Sequence, residues 1–140
     1  MVTTTTNSNC ADTGKLILRA TLAILILLHG ISKLMNGADF VTGLVAQAGL
    51  PAAVGNLVYV GEVLAPLLVL FGLWARIGCL IIAINMVVAI LLVHTGDLLH
   101  LNQTGGWALE LQGMFLATAL AVFFLGAGRF SIQGNGNRWN

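Results

Sequence analysis

Few residues in this sequence of 140 could do acid–base chemistry, and most of them lie in or beside long apolar runs. Glu62 is the clearest case, because it stands roughly ten residues into an apolar run, or about 15 Å along a helix. An ionised side chain near the middle of a bilayer costs about 2.5–3.5 kcal/mol, so it needs a partner or a function. We therefore expect Glu62 to point away from lipid and toward other polar groups.

Four further ionisable residues are expected at a similar depth. His29 and Lys33 are spaced four residues apart, so they share one face of a helix. His94 ends the third apolar run, and Glu110 lies near the start of the fourth. Imidazole, carboxylate and ammonium groups at one depth favour proton handling. The sequence thus predicts a cluster of candidate catalytic residues: Glu62, His29, Lys33, Glu110 and His94.

Each member of this cluster also has a structural interpretation. Lys33 could extend its ammonium to the membrane surface, and His94 could simply be solvated. Glu110 could stabilise the N-terminus of a helix, where negative charge is favourable. Glu62 could form a structural ion pair with Lys33 or with His29.

Three other polar residues, Arg19, Arg76 and Asn85, are candidates for cofactor binding. The alternative for Arg19 and Arg76, together with Arg129, is contact with lipid phosphate and control of membrane topology. Asn85 could instead form a hydrogen bond between helices. On an ideal helix it lies about 180° from His94, so the two would not face one site unless the helix bends.

The metal-binding and thiol signals in the sequence are weak. His29 and His94 could together ligate a haem, but two histidines on different helices are a weak signal, and we do not expect a haem. There is no cluster of cysteines and histidines, so no metal is predicted, and no CxxC motif indicates disulfide exchange.

The composition indicates that these residues belong to a membrane protein. Hydrophobic residues make up 58% of the chain, charged residues only 8%, and the mean hydropathy is +0.95. A soluble domain carries about 25% charged residues. Four apolar runs, 15–35, 52–73, 76–93 and 107–125, approach the ~20 residues that cross a bilayer as a helix. We predict an all-α transmembrane four-helix bundle over residues 15–132, between a disordered polar tail (1–14) and a polar C-terminal tail (133–140).

The loops add detail to this bundle. The first loop, 36–51, has Phe40, Leu44 and Ala48 at four-residue spacing, which predicts a short amphipathic helix on the membrane surface. Gly49-Leu50-Pro51 would end that helix. The turn between the second and third runs is very short, so those helices should be antiparallel neighbours.

The basic residues predict the orientation of the chain. With four spans, one side of the membrane carries Lys15, Arg19, Arg76, Arg129 and Arg138, and only Lys33 lies on the other side. The excess of basic residues marks the cytoplasmic side, so both termini are expected in the cytoplasm. A net charge of +1 gives no reason to expect nucleic acid as a partner.

Several segments, in this order, resemble the DoxX family of small bacterial membrane proteins with four helices. The segments are Gly30-Ile31-Ser32-Lys33-Leu34, Gly49-Leu50-Pro51, Glu62, Leu70 to Arg76, Glu110, and Leu125 to Ile132. Two positions depart from the family, because Ala127 stands where a proline is usual and Gln133 where an acid is usual. The matching recurrent polar positions are Arg19, Lys33, Glu62, Arg76 and Glu110.

The resemblance implies a place in the bacterial plasma membrane and an association with redox complexes, since the family is named for a subunit of a thiosulfate:quinone oxidoreductase. Our leading hypothesis is a redox-associated subunit whose polar cluster contacts a quinone. A non-catalytic anchor for a partner enzyme is the alternative, and a small permeation protein using Glu62 ranks last. The lipid bilayer is one expected partner, and either partner redox subunits or further copies of the chain are another.

Overall fold

The computed structural model describes residues 4–140 and is helical throughout its regular structure. We number the helices α1 (Thr4–Asn36), α2 (Asp39–Gln47), α3 (Ala52–Phe71), α4 (Ala75–Val93) and α5 (Glu110–Leu125). The described residues contain no strand, and one isolated bridge joins Leu101 to Trp107.

Four of these helices form the predicted membrane bundle. Three are long and apolar enough to cross a bilayer, namely α1 from Asn9, α3 and α4, and α5 is a shorter apolar helix. The helix α4 packs against α3 and α5, while α1 packs against the same two helices from the other side. Their shared core holds small and branched side chains, among them Leu22, Ile26, Val69, Ile82, Ala119 and Val122.

The helix α1 begins earlier than the sequence predicts. Residues 4–14, which we expected to be disordered, are helical, and residues 1–3 of that tail lie outside the described part of the chain. Local contacts support the extension, because Lys15 pairs with Asp12 at 3.8 Å and the Thr13 hydroxyl donates to the Asn9 carbonyl. Low helix propensity in a polar segment is therefore overridden by its continuity with a long apolar helix.

The helix predicted in the first loop is confirmed as α2. It ends at Gln47, and Gly49, two residues later, has a φ of +82°, a left-handed conformation that glycine adopts easily. The helix lies against the start of α3, where Gly55 leaves room for the backbone of Thr42. Its place on a membrane surface stays a prediction.

The helix α3 is irregular at its middle. A π-helical turn covers Val60–Leu64, and the Ala65 N–H donates to the Val60 carbonyl, one residue farther than in an α-helix. Pro66 follows directly, and a proline has no N–H and crowds the carbonyl four residues before it, here that of Glu62. The π turn accommodates this proline and re-aims the side chains of the turn.

A tight turn joins α3 to α4, which confirms the predicted antiparallel pair. Gly72 is left-handed with φ +65°, and the N–H groups of Gly72 and Leu73 donate to the Val69 and Leu68 carbonyls. This is a Schellman motif. Gln133 completes it by accepting the Trp74 N–H at 2.8 Å, so the residue that departs from the family pattern has a structural contact here.

The helix α5 starts three residues after the predicted run, because residues before Glu110 belong to a folded loop. Trp107 bridges to Leu101, and its indole N–H donates to the Leu98 carbonyl at 2.9 Å. The Asn102 side chain accepts hydrogen bonds from Thr104 and from the Gly106 N–H, which closes the turn.

The basic residues gather at one end of the bundle. Arg19 reaches the Phe130 carbonyl, and the Arg76 N–H donates to the Trp139 carbonyl, so the α3–α4 turn and the C-terminal segment lie beside the first half of α1. Lys15 lies next to Gly128 at the same end. We call this the basic end of the molecule.

Candidate functional site

Close contact between helices brings Glu62 into the bundle. A Cβ at Gly30 of α1 would collide with the backbone carbonyl of Glu62, so only glycine permits this approach. On the other side, Gly61 leaves room for the side chain of Asn85 from α4. The π turn is thus held between α1 and α4 by two glycines, and Glu62 is only 8% exposed.

Glu62 is paired with Lys33, as one of the structural interpretations predicted. The Lys33 Nζ lies 2.5 Å from Glu62 Oε2, and both side chains are largely buried. The Tyr59 hydroxyl donates to the Lys33 carbonyl at 3.2 Å, which ties the end of α1 to α3. The Lys33 ammonium is therefore directed to the Glu62 carboxylate, and the interpretation that it only reaches for the membrane surface does not hold.

The pair opens on a cavity of about 230 Å³ in the half of the bundle away from the basic end. Four of the five predicted catalytic residues line this cavity together, and α1, α3, α4 and α5 all contribute to its wall. Its polar lining residues are His29, Lys33, Glu62, His94 and Gln112, and its apolar ones are Ile26, Met86, Ala89, Leu111 and Phe115.

His94 is held by two polar neighbours. Its Nδ1 lies 3.0 Å from an Asp97 carboxylate oxygen, and its Nε2 lies 3.3 Å from the Gln112 amide nitrogen. An ionised carboxylate only accepts hydrogen bonds, so this network assigns the proton of neutral His94 to Nδ1. Its Nε2 is then an acceptor at the cavity wall.

His29 occupies the α1 side of the cavity. Its ring meets Phe115 edge to face, with the ring centroids 6.2 Å apart and the planes at 78°. This packing fixes one face of the imidazole against α5. His29 and His94 thus line one cavity, although they belong to different helices.

Glu110 is the predicted member that lies outside this cavity. Its side chain is exposed, and its carboxylate accepts a hydrogen bond of 3.3 Å from Asn102 in the folded loop. The difference follows from the start of α5, because Glu110 is the first residue of the helix and not one turn inside it.

Arg19 is buried and bound to backbone. Its guanidinium donates to the carbonyls of Val69, Leu70 and Phe130. Two of these carbonyls belong to the end of α3, where helical carbonyls lack intrahelical partners. Arg19 therefore joins α1 to the α3 terminus and to the C-terminal segment.

Arg76 and Asn85 also lie outside the cavity lining. Asn85 packs against the π turn, where its buried Nδ2 has no acceptor among the described residues. Arg76 lines a second cavity at the basic end. The structure therefore separates the predicted cofactor-binding residues from the predicted catalytic ones.

Gln112 and Asp97 are the site residues that the sequence did not reveal. Gln112 is a neutral amide in an apolar helix, and no spacing rule distinguishes it from a residue that bonds another helix. Asp97 lies three residues after His94, a spacing that would have suggested the pair. Among residues 4–140 no group of three or more His, Cys, Asp and Glu side chains is arranged to hold a metal.

The family model for DoxX matches residues 14–95 of this chain. The match runs from the start of the first apolar run to just beyond α4. It includes His29, Lys33, Glu62 and His94, while α5 and Gln112 lie beyond it. No curated protein and no solved structure matches the chain.

Proposed function

The chain belongs to the DoxX family of membrane proteins, and from that premise we propose that it is a quinone-binding subunit of a membrane oxidoreductase. The observation that carries the proposal is the Lys33–Glu62 ion pair on the wall of a cavity that His94 also lines. DoxX proteins are typically associated with oxidoreductase-related functions, which supports the redox setting.

The cavity residues fit the headgroup of a quinone. A quinone headgroup is a flat apolar ring with oxygens at opposite edges, so it needs apolar walls and polar groups at two places. Met86 and Phe115 supply apolar wall, and the Lys33–Glu62 pair and the His94–Gln112 pair supply polar groups from different helices. A volume of about 230 Å³ suits a single small ring system better than a drug-sized ligand.

Different residues of the cavity would have different roles toward the ligand. Lys33 would donate a hydrogen bond to one ligand oxygen while Glu62 holds its ammonium in place. When the reduced form, a quinol, is bound, His94 Nε2 would accept a proton from its hydroxyl, and Asp97 would stabilise the imidazolium that results. The electrons of the quinol would pass to the partner oxidoreductase subunit. A bound quinone would supply two-electron chemistry coupled to protons.

The position of Asp97 gives a route for that proton. Its side chain is 48% exposed, whereas the His94 side chain is 30% exposed and faces the cavity. A proton on His94 would therefore pass to the Asp97 carboxylate and from there to the water that contacts it. We expect proton release on the side of the membrane opposite to the basic end.

Quinone binding to the purified full chain tests the proposal. Equilibrium dialysis with a short-chain benzoquinone should show about tenfold weaker binding for Glu62→Gln, since Lys33 loses the carboxylate that holds its ammonium at the cavity. Glu110→Gln is the matched control, because it removes the same charge in the same half of the molecule but outside the cavity. Equal affinities for wild type and Glu62→Gln would refute the proposal.

A further inference from the structure

A second cavity, of about 550 Å³, lies at the basic end of the bundle. It is separate from the site described above, and none of its lining residues belongs to that site. Its wall is formed by the start of α4, the end of α5 and the C-terminal segment. The lining residues used below are Arg76, Gly126, Gly128, Arg138 and Asn140.

Two arginines line this one space. The backbone N–H of Arg76 donates to the Trp139 carbonyl at 3.1 Å, which fastens the C-terminal segment to the start of α4. This contact brings Arg138, whose guanidinium lies 5.7 Å from the centroid of the Trp139 ring, to the same cavity as Arg76. Two like charges that line one cavity repel each other, and an anion bound between them would offset that repulsion.

The hydrogen-bonding capacity of these groups is incompletely used. Arg76 Nε is buried and has no hydrogen-bond partner among the described residues. Leaving a buried donor unpaired is costly, and a charged donor costs more. A Cβ at Gly126 would come within 2.9 Å of the Asn140 carbonyl oxygen and 3.4 Å of Arg76 Nη2, so glycine lets both groups lie close to the end of α5.

The carboxylate side chain beside Gly128 is already paired. Asp12 lies beside Gly128, but its carboxylate is 3.8 Å from the Lys15 ammonium. Arg76 and Arg138 have no salt bridge to a carboxylate in the described part of the chain. No carboxylate side chain therefore neutralises these two guanidinium groups within the described residues.

We propose that this cavity binds a phosphate group, with Arg76 and Arg138 as its cationic donors. Guanidinium groups match phosphate oxygens in pairs, and such bonds are stronger than those between neutral groups. Asn140 also lines the cavity, and its amide could hydrogen-bond a hydroxyl beside the phosphate. We therefore test a glycerophosphate group, either free or as the headgroup of phosphatidylglycerol.

Lipid binding by the full chain tests this proposal. The protein is purified in detergent, and its affinity for phosphatidylglycerol is measured by native mass spectrometry, with phosphatidylcholine as the uncharged reference. We expect Arg76→Gln and Arg138→Gln each to weaken phosphatidylglycerol binding about tenfold. Arg138 is exposed, so its substitution keeps the test valid even where Arg76→Gln fails to fold.

The matched control is Arg129→Gln, because Arg129 is at the basic end but stacks on Phe130 and does not line the cavity. We expect this variant to bind phosphatidylglycerol as wild type does. Unchanged binding in the Arg138 and Arg76 variants would overturn the proposal, and so would an equal loss in the Arg129 variant, which would indicate attraction by surface charge alone.

Competition identifies the source of the phosphate. If free glycerol phosphate displaces the lipid from wild type but not from the Arg138 variant, the site is assigned to a soluble ligand. Retention of the lipid at saturating glycerol phosphate assigns the site to the lipid headgroup. Both results support a phosphate site, and both are independent of quinone binding at the other cavity.

Discussion

At the residue scale, Lys33 and Glu62 have unequal surroundings. The Lys33 side chain is 26% exposed, so its long apolar stem could carry the ammonium toward water if the pair were broken. The Glu62 side chain is 11% exposed and short, and it is held inside the bundle by the π turn. The two partners should therefore respond differently to loss of the other.

Substitution of each partner should show this asymmetry in the free energy of unfolding. Lys33→Met leaves a buried carboxylate without its cation and should cost about 3 kcal/mol. Glu62→Leu leaves only the adaptable lysine and should cost less, and the double variant should recover most of the loss. Denaturant unfolding in detergent measures all three, and a larger loss for Glu62→Leu would contradict this account.

At the element scale, the contact of α1 with the π turn depends on one glycine. Gly30→Ala would place a Cβ against the Glu62 carbonyl and should destabilise the bundle by about 1–3 kcal/mol. Gly14→Ala is the control on the same helix, because nothing lies within 4 Å of its Cβ position. It should stabilise α1 by up to about 1 kcal/mol, as alanine favours a helix. Equal effects in thermal unfolding would disprove the close contact.

The elements also show which features the sequence could predict. Apolar runs of bilayer length and the short α3–α4 turn were sufficient for the bundle, and a carboxylate in such a run pointed to Glu62. The loop before α5 was predicted to end at Gly106 but continues to Leu109, because Trp107 is apolar enough to extend the run although its ring and backbone belong to the loop. Because α5 begins at Glu110 and not at Trp107, the Glu110 side chain lies outside the cavity. The contribution of Gln112 depends on how α4 and α5 face each other, which no local pattern encodes.

At the scale of the whole molecule, the clustering of basic residues predicts the orientation of the chain. The free thiol of Cys10 lies exposed near the basic end, while Cys79 is buried in the core. In intact bacterial cells that express the protein, a membrane-impermeant maleimide should leave Cys10 unlabelled, because we expect the basic end to face the cytoplasm. Permeabilised cells should show labelling that a Cys10→Ser variant lacks. Labelling of Cys10 in intact cells would show that the basic end faces the outside, contrary to this prediction.

The claim central to this account is that one ligand occupies the cavity beside the Lys33–Glu62 pair. Photolabelling with an azido derivative of a short-chain benzoquinone, followed by mass spectrometry of the peptides, tests it most directly. We predict adducts on lining residues such as Met86 and Phe115, and at a probe concentration near the wild-type Kd a several-fold lower yield in Glu62→Gln but not in Glu110→Gln. Adducts confined to lipid-facing residues such as Phe124, or an unchanged yield at the cavity in Glu62→Gln, would contradict the claim.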